Sequence, residues 1–188
     1  MAVIKPFKAV RPASEYVKMV AELPYDVMSR EEAKEIAKGN KYSFLHIDRA
    51  EIDLDDQINE HDEKVYEKAK ENLDDFMKKN IFVKDEKDAI YIYREIVDDR
   101  AQTGIVACVS IDDNINGVVK KHEYTKPDKE LDRTNHIKYC KANTGTVLLT
   151  YKNQEEIEKI MNYYVYFMPP IYDFKTEDDV IHTIWKVE

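Results

Sequence analysis

Apolar residues recur along this chain at two spacings, three-to-four and two, and the elements follow from which spacing holds where. Residues 62–79 give the clearest helix, with Val65, Tyr66, Ala69, Leu73, Phe76 and Met77 in one stripe at helical period. Residues 154–167 repeat the pattern through Ile157, Ile160, Met161, Tyr164 and Val165, and Pro169-Pro170 ends it. Ser29 followed by Glu32 is a capping-box pattern that opens a helix over 30–38, stopping near Gly39-Asn40. Pro127 suits the first turn of a helix running to about Ala142. Val17, Val20 and Ala21 mark a shorter amphipathic piece.

Alternation and β-branched or aromatic content predict strands at 89–97 and 103–111, and the short connection 98–102 makes them an antiparallel hairpin. Further strands are expected at 42–47, 146–151 and 180–187, and Pro6 and Pro12 keep residues 4–12 extended. Residues 48–59 read as an acidic connection. The resulting fold class is α+β, a mainly antiparallel sheet flanked by amphipathic helices.

At 188 residues the chain fits one domain. Such a length buries roughly 70% of the unfolded surface without disulfide or metal staples. Its four glycines cannot be arranged into a GxGxxG or Walker phosphate loop. A net charge of -9 argues against a general nucleic-acid binder. No apolar run reaches the roughly 20 residues that span a bilayer. The N-terminus carries no secretory signal pattern, so a cytoplasmic protein is expected. Cys108 and Cys140 lack CxxC spacing, and no GxSxG elbow occurs, so neither a zinc site nor that hydrolase chemistry is expected.

Candidate chemistry gathers in residues 119–136, where a loop joins a strand to a helix. Lys129, Asp132, Arg133 and His136 lie three and four apart and share one helix side. There Asp132 can orient His136, while Lys129 and Arg133 can grip a phosphate. Glu123, beside His122 in the preceding loop, can act as general base toward a hydroxyl. The plainer alternative is a solvated helix face laced with ion pairs, each worth about 0.3 to 0.5 kcal/mol. His122, Glu123, Thr125 and Arg133 fit that alternative least. Elsewhere, His46 is expected on a strand with Asp48 and Arg49 behind it, and Arg49 pairs with Glu51. Arg11 and Tyr25-Asp26 sit on proline-bounded loops that can line a pocket. His61 reads as surface, and His182 as a hydrogen-bonded core histidine near Trp185.

The segments IKPFKAVRP (4–12), LPYDVMSREEA (23–33), YSFLHIDRAEIDL (42–54), TGIVACVSID (103–112), KKHEYTKPDKELDRTNH (120–136), CKANTG (140–145) and VIHTIWKV (180–187) together resemble a prokaryotic family, domain of unknown function 1015. The resemblance holds in order over nearly the whole chain. It implies a longer protein, of which residues 1–188 are a single N-terminal domain or fragment. Family members continue into an Asp-Gly-His-His-Arg loop that this sequence lacks. That loop is similar to the phosphate-contacting motif of the ParB-like superfamily, which includes enzymes that phosphorylate free serine.

By that resemblance the full-length protein would be a nucleotide-dependent kinase of a small hydroxylated metabolite such as serine, using ADP or ATP with Mg²⁺. Glu123 would be the base with His122 beside it. Lys129, Arg133, Thr125, His136, Arg11 and Arg49 would hold substrate or phosphate. Asn143, His182 and Trp185 also match the family motifs. Two alternatives stay open: a nucleotide- or amino-acid-sensing module, and a structural domain without catalysis. The expected partners are a small metabolite or nucleotide, with no nucleic acid or membrane. A homo-oligomer, or packing against a missing C-terminal region, is also open.

Overall fold

The computed structural model describes residues 2–188. Along the chain run β1 (Ile4–Lys5), β2 (Val10–Pro12), α1 (Val17–Val20), α2 (Arg30–Ala37), α3 (Leu45–Asp48), α4 (Glu63–Lys78) and β3 (Phe82–Lys84). Then follow β4 (Ile90–Val97), β5 (Arg100–Val106), β6 (Cys108–Val109), α5 (Ile111–Ile115), α6 (Pro127–Cys140), α7 (Glu155–Phe167), β7 (Tyr172–Lys175) and β8 (Ile181–Val187). The fold is α+β with antiparallel pairing, as the periodicities predict. The chain divides into two compact units.

The first unit takes residues up to Ser14, 84–123 and 149–188. It is built on an antiparallel sheet in the order β5-β4-β8-β7. Ile92 faces Trp185 across β4 and β8, and both are buried. The indole N–H of Trp185 is satisfied by the carbonyl of Met168 at 2.9 Å. The β4–β5 hairpin is tighter than predicted: Val97 already pairs with Arg100, leaving only Asp98 and Asp99 in the turn. Asp98 makes this possible by adopting φ 52°, which aspartate tolerates better than most residues. His182 sits between the Phe174 and Tyr93 rings, with Nδ1 2.7 Å from the Tyr93 hydroxyl and Nε2 3.1 Å from that of Thr176. It is the hydrogen-bonded histidine that its strand position predicts.

The second unit takes residues 15–83 and 124–148 and is helical. The Ser29 cap forms as predicted, its hydroxyl accepting from the Glu32 amide at 3.3 Å while Glu32 accepts from the Ser29 amide at 2.7 Å. The α4 stripe buries Val65, Tyr66, Ala69 and Phe76. Phe76 packs edge-on against Phe82, with Val20, Ile47 and Ile81 in the same cluster. Ala69 and Ala50, both nearly inaccessible, let Cys140 of α6 close onto α4.

Two predicted strands are not strands. Residues 45–48 make the single helical turn α3, started by the Ser43 hydroxyl, which accepts from the Leu45 amide at 3.2 Å. Ser43, Leu45 and Ile47 are buried while Phe44, His46 and Asp48 are half-buried, an alternation that a run this short can show in a single turn of helix as well as in a strand. Residues 146–151 form neither helix nor strand, and Val147 and Leu148 stand 82% and 78% exposed. Strand propensity without a neighbouring edge to pair with leaves the backbone irregular. The apolar stripe of α7 is only partly covered: Ile157, Met161, Tyr164 and Val165 are half-buried, and Ile160 is exposed. Three elements escaped the sequence reading: β3, β7, and α5, which Ser110 caps through the amide of Asp113. Among the described residues, no helix is long and apolar enough to cross a membrane.

Candidate functional site

α6 starts at Pro127 with Asp128 and Glu130 in its first turn, where carboxylates suit the helix dipole. Its inward face is Asp132, His136 and Cys140, one per turn and all buried. Lys129 and Arg133, one turn apart, border that face.

Asp132 is the hub. Its Oδ1 accepts from the Tyr66 hydroxyl at 2.9 Å and from His61 Nδ1 at 3.0 Å. Its Oδ2 accepts from Arg133 Nη2 at 2.8 Å and Nε at 3.0 Å. Arg133 reaches onward through Nη1 to Asp48 at 3.0 Å, and its guanidinium lies 4.1 Å from the centre of the Tyr25 ring. Asp48 also accepts from the Thr144 hydroxyl at 3.1 Å. Alongside, Arg49 donates to Glu51 at 2.5 Å and to the carbonyls of Tyr25 and Met28 at 3.1 and 3.2 Å, with Glu60 3.7 Å away.

These side chains, with Lys129 and His136, enclose about 30 Å³. Burial pushes the Asp132 carboxyl up, but the Arg133 charge and hydrogen bonds, then those of Tyr66 and His61, outweigh it and hold it below its usual range. Burial and the Asp132 charge push the Tyr66 phenol up to about 12. Burial opposes the Arg133 charge, yet Asp132, Asp48 and Tyr25 more than restore it. The site is thus a fixed lattice of charge in which Asp132 and Arg133 stay ionised.

The structure brings Lys129, Arg133, His136 and Arg49 of the sequence candidates together here. The Asp132–His136 contact that their spacing suggests does not form. His136 instead donates from Nε2 to the carbonyl of Ile47 at 3.0 Å, and Asp132 holds His61. The Thr125 hydroxyl donates to Glu130 at 3.0 Å, at the start of the same helix. His122 and Glu123 belong to the first unit and are exposed. Arg11 also belongs to that unit, donating to Asp85 at 3.0 Å and to the Tyr172 hydroxyl at 2.6 Å. Five members of the cluster were given no part in a site by the sequence: His61, exposed as expected but also bonded to Asp132; Tyr66, buried as expected but giving its hydroxyl to Asp132; Asp48; Glu60; and Thr144. Tyr66 offered a signal, because a tyrosine in a buried stripe needs a partner for its hydroxyl. Among the described residues, no three His, Cys, Asp or Glu side chains are grouped to hold a metal ion.

His46 lies on α3 rather than on a strand. Its Nδ1 is 2.8 Å from Asp53 and its Nε2 3.1 Å from the carbonyl of Asn40, so both ring nitrogens face acceptors. The Asp53 hydrogen bond raises its pKa against the opposing effect of burial. Burial works to raise the Asp53 carboxyl, but His46 and Asn72 lower it. A raised histidine contributes stability fully below its unfolded value and loses it as pH rises through the folded one. A lowered carboxylate contributes above its unfolded value and loses it as pH falls. The pair therefore stabilises most between roughly pH 4 and 6.5. Melting temperatures of the protein and of His46→Gln are expected to differ more at pH 6 than at pH 9. A difference independent of pH would show that the imidazolium is not what the fold uses.

No curated protein and no solved structure matches this chain. A family model does match it, over residues 4–188, a span that includes every side chain of the cluster around Asp132. The chain belongs to the family described as protein of unknown function (DUF1015).

Proposed function

We propose that this chain binds a small zwitterionic, hydroxylated metabolite, an amino acid such as serine being the simplest fit, at the mouth of the Asp132–Arg133 cluster. The observation that carries the reading is the balance of charge around that mouth. Arg49, Arg133 and Lys129 stand against Asp48, Glu51, Glu60 and Asp132, and Lys129 is exposed with no carboxylate partner among the described residues. A space of about 30 Å³ holds little more than one water. The ligand therefore sits over the mouth, its carboxylate on Lys129 and the outer edge of Arg133. Its ammonium turns toward Glu60, whose side chain is 46% exposed. Buried pairs beneath keep the charges at the mouth from collapsing onto one another.

Phosphoryl transfer to the ligand hydroxyl is the catalytic extension of the same reading. It is supported by the family resemblance. The nucleotide and Mg²⁺ it requires, and a cytoplasmic setting, belong to this proposal.

Calorimetric titration with L-serine, ethanolamine and glycolate tests the binding. Serine is expected to saturate the protein, and the two fragments, each lacking one charge, to bind at least tenfold more weakly. Lys129→Ala removes a charged hydrogen bond from an exposed position, and a loss of about tenfold in serine affinity is expected. Equal affinity for the protein and the variant would place the ligand elsewhere. Absence of saturable serine binding would overturn the reading.

A further inference from the structure

We infer that a second and larger cleft in the helical unit binds a phosphate ester carrying a flat ring, the chemistry of a mononucleotide. The cleft encloses about 490 Å³, within the range of small-molecule sites. One side of it is α4, where Lys68, Asn72 and Asp75 are followed by Lys79 on a single helix face. The other side is aromatic: Tyr16 and Tyr42 meet with ring centres 5.0 Å apart and planes tilted by 51°, and Lys41 lies 5.1 Å from the Tyr42 ring centre. Phe76 and Ile81 form apolar floor, and both are buried.

Three lysines against two aspartates line the cleft of a chain whose net charge is -9. Asp53 is moreover already neutralised by His46, whose two ring nitrogens face acceptors. The amide of Asn72 is likewise committed, donating to Asp53 at 2.8 Å and to the His46 carbonyl at 2.6 Å, so this part of the lining is held in place before any ligand arrives. Lys68 and Lys79 pair with Glu71 and Asp75 at 3.0 and 2.6 Å, but these are partly exposed helix-surface pairs of small worth, and the ammoniums can turn to an incoming anion. Lys41 has no carboxylate partner among the described residues. A ring laid on Tyr42 would place a phosphate among ammoniums carried on flexible stems, which grip phosphate as point charges. The site stands apart from the Asp132 cluster, and no lining residue is shared between them.

The test is titration of the full chain with AMP, adenosine and inorganic phosphate, followed by calorimetry. AMP is expected to saturate, with adenosine and phosphate each at least tenfold weaker, because each keeps only half of the recognition. The double change Lys41→Ala/Lys68→Ala, at one exposed and one half-buried position, is expected to weaken AMP at least tenfold with only a small shift in melting temperature. Tyr42→Leu is expected to weaken AMP and adenosine alike. AMP that does not saturate, AMP affinity untouched by the double lysine change, or phosphate binding as tightly as AMP would each overturn the inference. Lys129→Ala is expected to leave AMP affinity unchanged, and the double lysine change to leave serine affinity unchanged. Failure at one cleft is thereby kept separate from failure at the other.

Discussion

Asp132→Ala is expected to destabilise the protein by about 3–5 kcal/mol, measured as a lowered urea midpoint at unchanged slope. The size follows from what the side chain leaves behind. Its carboxylate is 9% exposed and accepts from Arg133, Tyr66 and His61. Removing it strands a guanidinium whose side chain is only 27% exposed, with Asp48 as its remaining carboxylate. It also strands the hydroxyl of buried Tyr66. Asp132→Asn keeps the shape and loses the charge, so it is expected to recover part of the loss and no more. Adding Arg133→Met to Asp132→Ala should restore some stability, because it removes the stranded charge along with its partner. A cost below about 1 kcal/mol would mean that the α6 face is the solvated ion-pair surface its sequence equally allows.

That ambiguity marks where the sequence stops being informative. α2, α4 and α6 were legible because their determinants are local. Ser29 and Glu32 close a capping box within one turn, the α4 stripe repeats over four turns, and Pro127 marks a first turn. The site was legible only as a neighbourhood. Lys129, Arg133 and His136 share a helix and were found together, but what they do depends on contacts distant in sequence. His61 meets Asp132 across 71 positions, and Arg133 meets Asp48 across 85. Nothing in local spacing selects His61 over His136 as the partner of Asp132. Helical spacing in fact favours the wrong one. The strand expected at 42–47 failed for a related reason. Ser43, Leu45 and Ile47 are buried and alternate with half-buried Phe44, His46 and Asp48 as a strand would, and a single turn of helix is too short to show a helical period against it.

One residue does betray its tertiary role in the sequence, and it gives the second large effect. Arg30 occupies the first position of α2, where a cation opposes the helix dipole and the neighbouring Glu31 and Glu32 agree with it. Its presence there calls for a reason outside the helix. The structure supplies one: Nη1 donates to the carbonyls of Ile58 and Asp56 at 2.8 and 3.2 Å, and Nη2 to those of Glu51 and Asp55 at 2.7 and 2.9 Å. Those carbonyls belong to the acidic connection before α4, which has no ladder to satisfy them. Arg30→Ala is expected to cost about 3 kcal/mol, because several charge-assisted hydrogen bonds are lost at one stroke and their acceptors must find water. Arg30→Lys is expected to recover less than half. A single ammonium cannot span the fork of acceptors that two guanidinium nitrogens reach. The same connection carries Glu51 and Glu60, which face Arg49 in the cluster, so loosening it should reach the proposed ligand mouth. Limited proteolysis should then cut the alanine variant between residues 51 and 60 while the native protein resists. Full rescue by lysine would show that the loop needs only a positive charge nearby; failure of lysine to rescue would show that it needs the shape of the guanidinium.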